Sequence, residues 1–342
     1  MRRKIISIIL CVVMIMMIAG CSSGKDAESS DTGSASKSED GNSGGSSADS
    51  GLINVGIINN DPEESGYRAA NDKDLQAMFT KENGYNAVFK YGKTNDEQIE
   101  AASGLLKSGI DYLLISAQDK KGWDLVLQDA EAAGTSVILF DRTIDVDESL
   151  YAASIISDME GEGMLAVSWL KDQKLDKYNI IHIQGQLGND AQIGRSRALD
   201  AAVSSEGWNI VAQETADWNE KKAQEIVEKV IESGREFNVI YAENDNMAKG
   251  AVAALDKAGI SHGVGKDVII IGFDCNKFAL NELLNKNWNY DGQCNPYQAS
   301  YIDDVIKMLE NNENIIEKTI IMEEKGFDAD TITKEDVDKY GV

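Results

Sequence analysis

Basic residues are scarce in this 342-residue chain. Its 33 lysines and arginines stand against 58 aspartates and glutamates, which gives a formal net charge of -25 at pH 7. A protein that binds the phosphate backbone of nucleic acid needs a basic face, so this charge argues against a nucleic-acid-binding protein and against an anionic membrane surface as a partner. The length favours two domains, at about 150 residues per domain.

Catalytic and metal-binding signatures are also absent from the sequence. The chain has two histidines and four cysteines, with no CxxC motif or Cys/His cluster of the kind that binds zinc. It contains no GxSxG, HExxH or Walker motif, and the first apolar segment runs into VGIINN at residues 55–60 instead of a GxGxxG loop. We therefore predict no enzyme activity, no metal and no cofactor.

The amino terminus carries the features of an export signal. Basic residues at positions 2–4 precede an apolar run over residues 5–17 that is short for a membrane span. The run ends in Ile-Ala-Gly-Cys at residues 18–21, which resembles the lipobox of bacterial lipoproteins. We expect residues 1–20 to be a signal peptide and Cys21 to carry a lipid that holds the secreted protein on the outer face of the cell membrane. An uncleaved membrane anchor with a chance cysteine is the alternative.

A polar segment separates this signal from the rest of the chain. Residues 22–50 consist almost wholly of Ser, Gly, Asp, Glu, Lys and Ala, without one large apolar side chain. Such a segment buries too little surface to offset its ordering entropy, so residues 21–51 are predicted to be a lipidated cysteine and a disordered tether. Two cysteines then remain in the body, Cys275 and Cys294, either as one disulfide or as two independent small apolar residues.

Short apolar segments alternate with longer segments of helical spacing after residue 51. The predicted strands are Leu52–Ile58, Tyr112–Ile115, Val137–Phe140, Ile180–Ile183, Val239–Tyr241 and Val268–Ile271. They are apolar at nearly every position, as expected for parallel strands that are covered by helices on both faces. This pattern predicts an α/β fold built from doubly wound parallel sheets.

A weak internal repeat indicates two such sheets. Residues 112–141 and 239–274 each contain a strand, a helix that ends in Ala-Gly, and a second strand that ends in Phe-Asp. Ligands of open parallel sheets bind beyond the carboxyl ends of the strands, so Asp141 and Asp274 are each predicted to point into a crevice. Two lobes that face one another would place both acids in one cleft.

Polar side chains of carbohydrate-binding type follow four of these strands. They are Asp141 and Arg142, Gln184 with the later Arg195, Asn244 and Asp245, and Asp274. Carboxylates and guanidinium groups can bond adjacent hydroxyls in pairs, and flat rings such as Trp218, Trp123 or Tyr67 can stack on the C–H face of a sugar. The alternatives are ordinary ones: helix capping for the polar residues and core packing for the aromatic residues.

Several motifs resemble those of a known family. They are ESGYR at residues 64–68, Gly122-Trp123, Phe140-Asp141-Arg142, Arg195, YAENDNM at residues 241–247, Gly272-Phe273-Asp274 and QCNP at residues 293–296. In this order they resemble the pentose/hexose-binding proteins of ABC importers, and most nearly the galactofuranose-binding branch. The likeness covers residues 54–296. It implies a type I periplasmic-binding-protein fold, in which two lobes joined by three hinge segments close on a monosaccharide.

The resemblance also implies domain bounds and residue roles. The first lobe would comprise residues 52–156 and 294–318, and the second lobe residues 157–293 and 319–342. The family's sugar contacts match Glu64, Arg68, Asp141, Arg142, Arg195, Asn244, Asp245 and Asp274, with Trp218 as the stacking ring and Gln293 beside the hinge. Trp123 is a further aromatic candidate. Cys275 and Gln293 depart from the residues usual in this branch, which leaves the exact sugar open.

The implied function is extracellular capture of a monosaccharide and its delivery to an ABC permease by a monomeric protein. Three alternatives use the same residues. Presentation of the sugar to a chemoreceptor or a kinase is compatible with the same sequence. A glycosidase is disfavoured because an arginine beside a carboxylate lowers its pKa and impairs it as a general acid. A transcriptional regulator would need a DNA-binding segment where this chain has a signal and an acidic tether.

Overall fold

The computed structural model describes residues 51–342. The predicted signal peptide, Cys21 and the tether up to residue 50 lie outside these described residues. Among the helices of residues 51–342, none has the length and hydropathy that a membrane span requires.

The first lobe is built on a six-stranded parallel sheet. Its strands are β1 (Ile53–Asn59), β2 (Tyr85–Tyr91), β3 (Tyr112–Ile115), β4 (Ser136–Asp141), β5 (Ala153–Ile156) and β11 (Thr319–Ile321), in the spatial order β11-β5-β4-β3-β1-β2. Its helices are α1 (Gly66–Met78), α2 (Asn95–Lys107), α3 (Asp124–Ala133) and α9 (Ala299–Glu310). Two apolar clusters, one on each face of the sheet, form its core.

The second lobe repeats this plan with one antiparallel edge. Its strands are β6 (Asn179–Gln184), β7 (Asn209–Thr215), β8 (Val239–Ala242), β9 (Ile269–Phe273), β10 (Tyr290–Gly292) and β12 (Gly326–Asp328), in the order β12-β10-β9-β8-β6-β7, and only the β10–β12 pair is antiparallel among these described strands. Its helices are α4 (Met159–Asp172), α5 (Asp190–Glu206), α6 (Glu220–Glu232), α7 (Asp245–Ala258), α8 (Lys277–Leu284) and α10 (Lys334–Tyr340). The prediction of two doubly wound α/β lobes is confirmed.

The internal repeat becomes β3-α3-β4 in the first lobe and β8-α7-β9 in the second. Helices α3 and α7 both end at a glycine in the left-handed conformation, Gly134 with φ 74° and Gly259 with φ 69°. A residue with a Cβ is strained at such an angle, which accounts for the shared Ala-Gly ending. Strands β4 and β9 are buried at every position but the first residue of β4, as strands covered on both faces should be.

The chain crosses between the lobes three times. The first crossing segment, residues 157–158, joins β5 to α4, and the second, residues 293–298, joins β10 to α9. The third, residues 322–325, joins β11 to β12. Here the predicted boundary at residue 319 is wrong, because Thr319–Ile321 pairs in parallel with Ser154–Ile156 in the first sheet. The third crossing therefore falls after Ile321.

Candidate functional site

A cavity lies between the two lobes. The first lobe lines it with Glu64, Ser65, Tyr67, Arg68, Asp141 and Arg142, and the second lobe with Met159, Ala191, Arg195, Trp218, Asn244 and Asp274; Cys294 lines it from the second crossing segment. Carboxylates and guanidinium groups thus face the same cavity from both sides.

Two of these residues, Asp141 and Asp274, occupy equivalent positions in the repeat. Asp141 ends β4 with φ 61°, and Asp274 follows β9 with φ 109°. Side chains other than glycine rarely adopt such angles, and local strain of this kind is concentrated at functional sites. The two turns place a carboxylate at the carboxyl end of a central strand in each lobe, as the repeat predicted.

Asp141 is held as an ionised hydrogen-bond acceptor. Its carboxylate accepts hydrogen bonds from the Tyr67 hydroxyl (2.8 Å) and the Ser116 hydroxyl (2.7 Å), and it pairs with Arg68 Nη1 at 2.9 Å. Burial raises the pKa of Asp141, but the guanidinium groups of Arg68 and Arg142 together with these hydrogen bonds hold it below the ordinary value.

The two first-lobe arginines are themselves held by neutral and acidic acceptors. Arg142 Nη1 donates to Asn60 Oδ1 and to Gln118 Oε1, both at 3.3 Å, and its Nη2 lies 3.5 Å from Glu64 Oε2. Arg68 Nε contacts the same Glu64 oxygen at 3.4 Å. Glu64 therefore bridges the two guanidinium groups and keeps both planes at the cavity wall.

Arg195 plays the corresponding part in the second lobe. Its Nε and Nη2 both lie 2.7 Å from Glu162 Oε2, its Nη2 lies 3.4 Å from Asp274 Oδ1, and its Nη1 donates to the Glu243 carbonyl. The guanidinium carbon sits 4.7 Å from the centre of the Phe273 ring. Burial raises the pKa of Asp274 to about 7, against the lowering effect of Arg195.

Trp218 supplies a flat apolar wall. Its ring packs so closely on Gly185 that a Cβ at that position would lie 1.8 Å from the indole. Both Asp217 (φ 50°) and Trp218 (φ 64°) have left-handed backbone angles, which turn the ring towards the cavity. The indole Nε1 is buried and has no acceptor among residues 51–342. A ligand hydroxyl would provide one.

The lobes also contact one another around the cavity, so the structure is a closed form. Gln118 Nε2 donates to Gln186 Oε1 at 2.9 Å. The Thr143 backbone N–H and hydroxyl both donate to Asp190 Oδ2, at 2.6 and 2.7 Å. These contacts join residues of the first lobe to residues of the second.

Eight of the eleven predicted sugar contacts line this cavity. They are Glu64, Arg68, Asp141, Arg142, Arg195, Trp218, Asn244 and Asp274. The other three, Trp123, Asp245 and Gln293, do not, and the structure gives a reason for each.

Trp123 lies in the core of the first lobe and is fully buried there, with its Nε1 donating to the Asp119 carbonyl. Its prediction as a stacking ring is wrong. Asp245 points into the second lobe, where its Oδ2 accepts the Asn276 backbone N–H at 2.7 Å. Gln293 belongs to a different cavity, behind the hinge, so its predicted contact is also not supported by the geometry.

Sequence reasoning missed the residues that orient the site. Ser116, Glu162 and Glu243 hold site side chains but come from separate elements, and no local pattern marks them. The sequence suggests Tyr67 as a stacking ring, whereas its hydroxyl donates a hydrogen bond to Asp141. Both body cysteines are free and buried, so the disulfide alternative does not hold in this structure. Burial raises the pKa of both thiols.

Known proteins are similar to this chain over most of its length. The chain is 28% identical over 283 residues to the galactofuranose-binding protein YtfQ of Escherichia coli, covering 81% of this chain and 88% of that protein. It is 27% identical over 335 residues to the fructose import binding protein FruE of Bifidobacterium longum, covering 96% and 94%.

A solved structure agrees with these relatives. The binding protein of the arabinose ABC transporter from Shewanella sp. ANA-3, bound to α- and β-L-arabinofuranose, superposes with a TM-score of 0.79 at 26% identity and covers 84% of this chain and 95% of that one. A family model, the periplasmic binding protein domain, matches residues 55–309. This is a family of binding proteins rather than enzymes, as predicted, and the chain belongs to it.

Proposed function

We propose that this protein is the extracellular solute-binding subunit of an ABC importer and that it captures a monosaccharide by closure of its lobes. The ligand is a galactose- or galactofuranose-like hexose or an arabinose-like pentose. The observation that carries the proposal is the closed cavity, into which each lobe directs carboxylate and guanidinium groups.

The chemistry of the cavity supports a polyhydroxylated ligand. The ionised Asp141 accepts hydrogen bonds only, and the arginines donate only, so neighbouring hydroxyls of a sugar satisfy both in pairs. Trp218 offers a ring face for C–H groups and a free N–H at its edge.

Ligand binding is coupled to closure of the two lobes. Arg142 and Arg195 come from opposite lobes, so a ligand contacts both only in the closed state. A ligand shifts a conformational equilibrium by its differential affinity for the two states, and here the difference is the set of contacts from the far lobe. Relatives that bind galactofuranose, arabinofuranose and fructose support the same ligand class.

Binding of a sugar panel tests the proposal. Isothermal titration calorimetry with galactose, arabinose, fructose and ribose should give one-to-one binding of at least one sugar, recovered chemically unchanged. Asp141→Asn should weaken that binding by at least about 30-fold, because it leaves two buried guanidinium groups without their carboxylate. Asp129→Asn, at an exposed position of α3, is the matched control. Absence of heat with every sugar would contradict the proposal.

Membrane anchoring by Cys21 and delivery to a permease complete the proposed function. The support is the lipobox-like sequence and the polar tether that follows it. In cells, Cys21→Ala should move the protein from the membrane fraction to the medium or periplasm while leaving sugar affinity unchanged. Retention of the variant in the membrane fraction would refute lipid anchoring through this residue.

A further inference from the structure

Glu324 joins all three crossing segments at one point. It lies on the third segment, and its Oε1 accepts a hydrogen bond from the Ser157 hydroxyl of the first segment at 2.6 Å. The same oxygen accepts the backbone N–H of Asn295, on the second segment, at 2.5 Å. Cys294, which lines the ligand cavity, joins two of these segments through its 3.6 Å contact with the Ser157 hydroxyl, whereas Glu324 joins all three and does not line that cavity.

Glu324 also faces the residue that holds Arg195. The carboxyl groups of Glu162 and Glu324 and the Cys294 Sγ lie within 4.8 Å of one another. Glu162 gives one oxygen, Oε2, to Arg195. Its other oxygen, Oε1, is buried and has no donor among residues 51–342. In this cluster a carboxylic acid at Glu324 can become that donor, and the Cys294 thiol is a weaker one.

The surrounding charges favour a proton on this pair. Arg195 is the cation of the cluster, and Asp274 already shares it. On the other side of Glu324, Lys325 and Lys339 line the cavity behind the hinge together with Glu323 and Tyr340. Lys325 pairs with Asp336 at 3.7 Å and lies over the Tyr340 ring, so it does not neutralise Glu324.

Burial, followed by the like charge of Glu162, raises the pKa of Glu324 to about 9. Burial likewise raises the pKa of Glu162, although Arg195 opposes this effect. Both directions agree with the geometry: two acids face one another and one arginine serves one of them, so we expect the second acid to carry a proton at neutral pH.

We propose that Glu324 is a positioning residue for the ligand site. As a carboxylic acid it donates a hydrogen bond to Glu162, and this bond fixes Arg195 at the cavity wall. Glu324 also joins the three crossing segments in the closed form. This inference rests on the proposed sugar binding for its effect on affinity, but its protonation is measurable without sugar. Glu324 acts on ligand only through Glu162 and Arg195.

A glutamine at position 324 can make the same hydrogen bonds as the protonated acid. In Glu324→Gln the amide oxygen accepts from Ser157 and Asn295, and the amide N–H donates to Glu162 at every pH. Glu324→Ala removes both functions. Glu323→Gln, at the exposed neighbouring residue, is the matched control.

Sugar affinity should separate these variants. At pH 7, Glu324→Gln should bind like the wild type, whereas Glu324→Ala should bind about 10- to 100-fold more weakly, the loss expected for a hydrogen bond to a charged group. Wild-type and Glu323→Gln affinity should fall as the pH rises through about 9. Affinity of Glu324→Gln should not share this fall. Equal weakening of the Gln and Ala variants would overturn the proposal.

Stability without sugar provides an independent measurement. The pKa of Glu324 is raised on folding, so its protonation contributes fully below the unfolded value of about 4.3 and is lost as the pH rises to about 9. Across that window the folding equilibrium constant of the wild type, relative to Glu324→Gln, should fall by up to about tenfold per pH unit. If the ratio of the wild-type to the Glu324→Gln folding equilibrium constant does not change with pH, the proposal is overturned even if no sugar binds.

A metal ion is the competing occupant, since a thiolate and two carboxylates also suit a divalent cation such as Zn²⁺. Titration of the sugar-loaded wild type with ZnCl₂ should show no stoichiometric binding. Tight one-to-one binding of Zn²⁺ that both Cys294→Ser and Glu324→Gln abolish would show that the cluster holds a metal ion instead of a proton. This outcome would overturn the proposal.

Discussion

At the scale of single residues, we expect buried carboxyl groups of this protein to share protons in pairs. Asp245 uses its Oδ2 to accept the Asn276 backbone N–H (2.7 Å) and side-chain N–H (3.1 Å), and Asp291 uses its Oδ1 to accept the Cys275 N–H (3.3 Å). Their other oxygens are buried without a donor among residues 51–342. Burial raises the pKa of both acids, that of Asp291 to about 8, so we expect them to share one proton.

We expect Asp291→Asn to remove a pH-dependent part of the stability. The asparagine oxygen can still accept from Cys275, and its N–H₂ group can donate to Asp245. Because folding raises the pKa, the proton stabilises the wild type most below about pH 4, and this contribution is lost as the pH rises to about 8.

The free energy of unfolding of the wild type minus that of Asp291→Asn should therefore fall with pH, by at most about 1.4 kcal/mol per unit. Denaturant unfolding at pH 4 to 8 measures this difference. Asp200→Asn, on the exposed side of α5, should keep the wild-type slope. A constant difference for Asp291→Asn would exclude a shared proton.

The sequence was informative about residues whose position follows from strand order. Asp141 and Asp274 could be placed in one cleft because each ends a repeated strand, and parallel strands end at the same edge. Trp123 could not be placed, since an aromatic residue at the start of a helix can turn its ring to the core or to the cleft. Glu162 and Glu324 lie 162 positions apart, and no local pattern connects them.

At the scale of elements, Asn244 combines a structural and a ligand-facing role. It is the N-cap of α7, and its Oδ1 accepts the Met247 backbone N–H at 2.8 Å. The sequence alone left capping and sugar binding as alternatives. The structure allows both, because the residue also lines the cavity and only its carbonyl oxygen is used in the cap.

Asn244→Ser should therefore separate the two roles. Serine is as good an N-cap as asparagine, so the free energy of unfolding should change by less than about 0.5 kcal/mol. The lost amide donor should weaken sugar binding by about tenfold, as expected for one hydrogen bond. Calorimetry and denaturant unfolding test this. Asn219→Ser, which caps α6 from an exposed position that does not line the cavity, should leave affinity unchanged. Wild-type affinity of Asn244→Ser would show that Asn244 is only a cap.

The strands that sequence patterns predicted are the central ones. β3, β4, β8 and β9 are buried on both faces and therefore read as continuous apolar runs. The edge strand β2 alternates buried or half-buried and exposed residues, and β10, β11 and β12 have three residues each. Such short or half-exposed segments carry too little periodicity to be recognised before the sheet is known.

At the scale of the whole molecule, the closed form depends on a close approach at the start of α1. A Cβ on Gly66 would lie 1.6 Å from Asn276 Oδ1, across the cleft. Asn276 cannot move aside easily, because Asp245 holds its side chain. This glycine therefore sets how closely the lobes can meet.

Gly66→Ala should prevent full closure. We expect sugar affinity to fall by about 5- to 150-fold, the range for about 1–3 kcal/mol of overpacking, while the stability of the sugar-free protein stays near that of the wild type. Small-angle X-ray scattering should show a smaller sugar-induced decrease in the radius of gyration. Gly104→Ala, where a Cβ meets nothing within 4 Å, is the control. Wild-type compaction of Gly66→Ala would contradict this account of closure.

The three crossings also determine the order in which the protein can be completed during synthesis. Helix α9 and strand β11 belong to the first lobe but leave the ribosome after β10 of the second lobe. Until they emerge, strand β5 remains an unpaired edge, and the part of the first sheet's apolar face that α9 covers stays exposed. A nascent chain that stops before Ile321 therefore exposes an aggregation-prone surface.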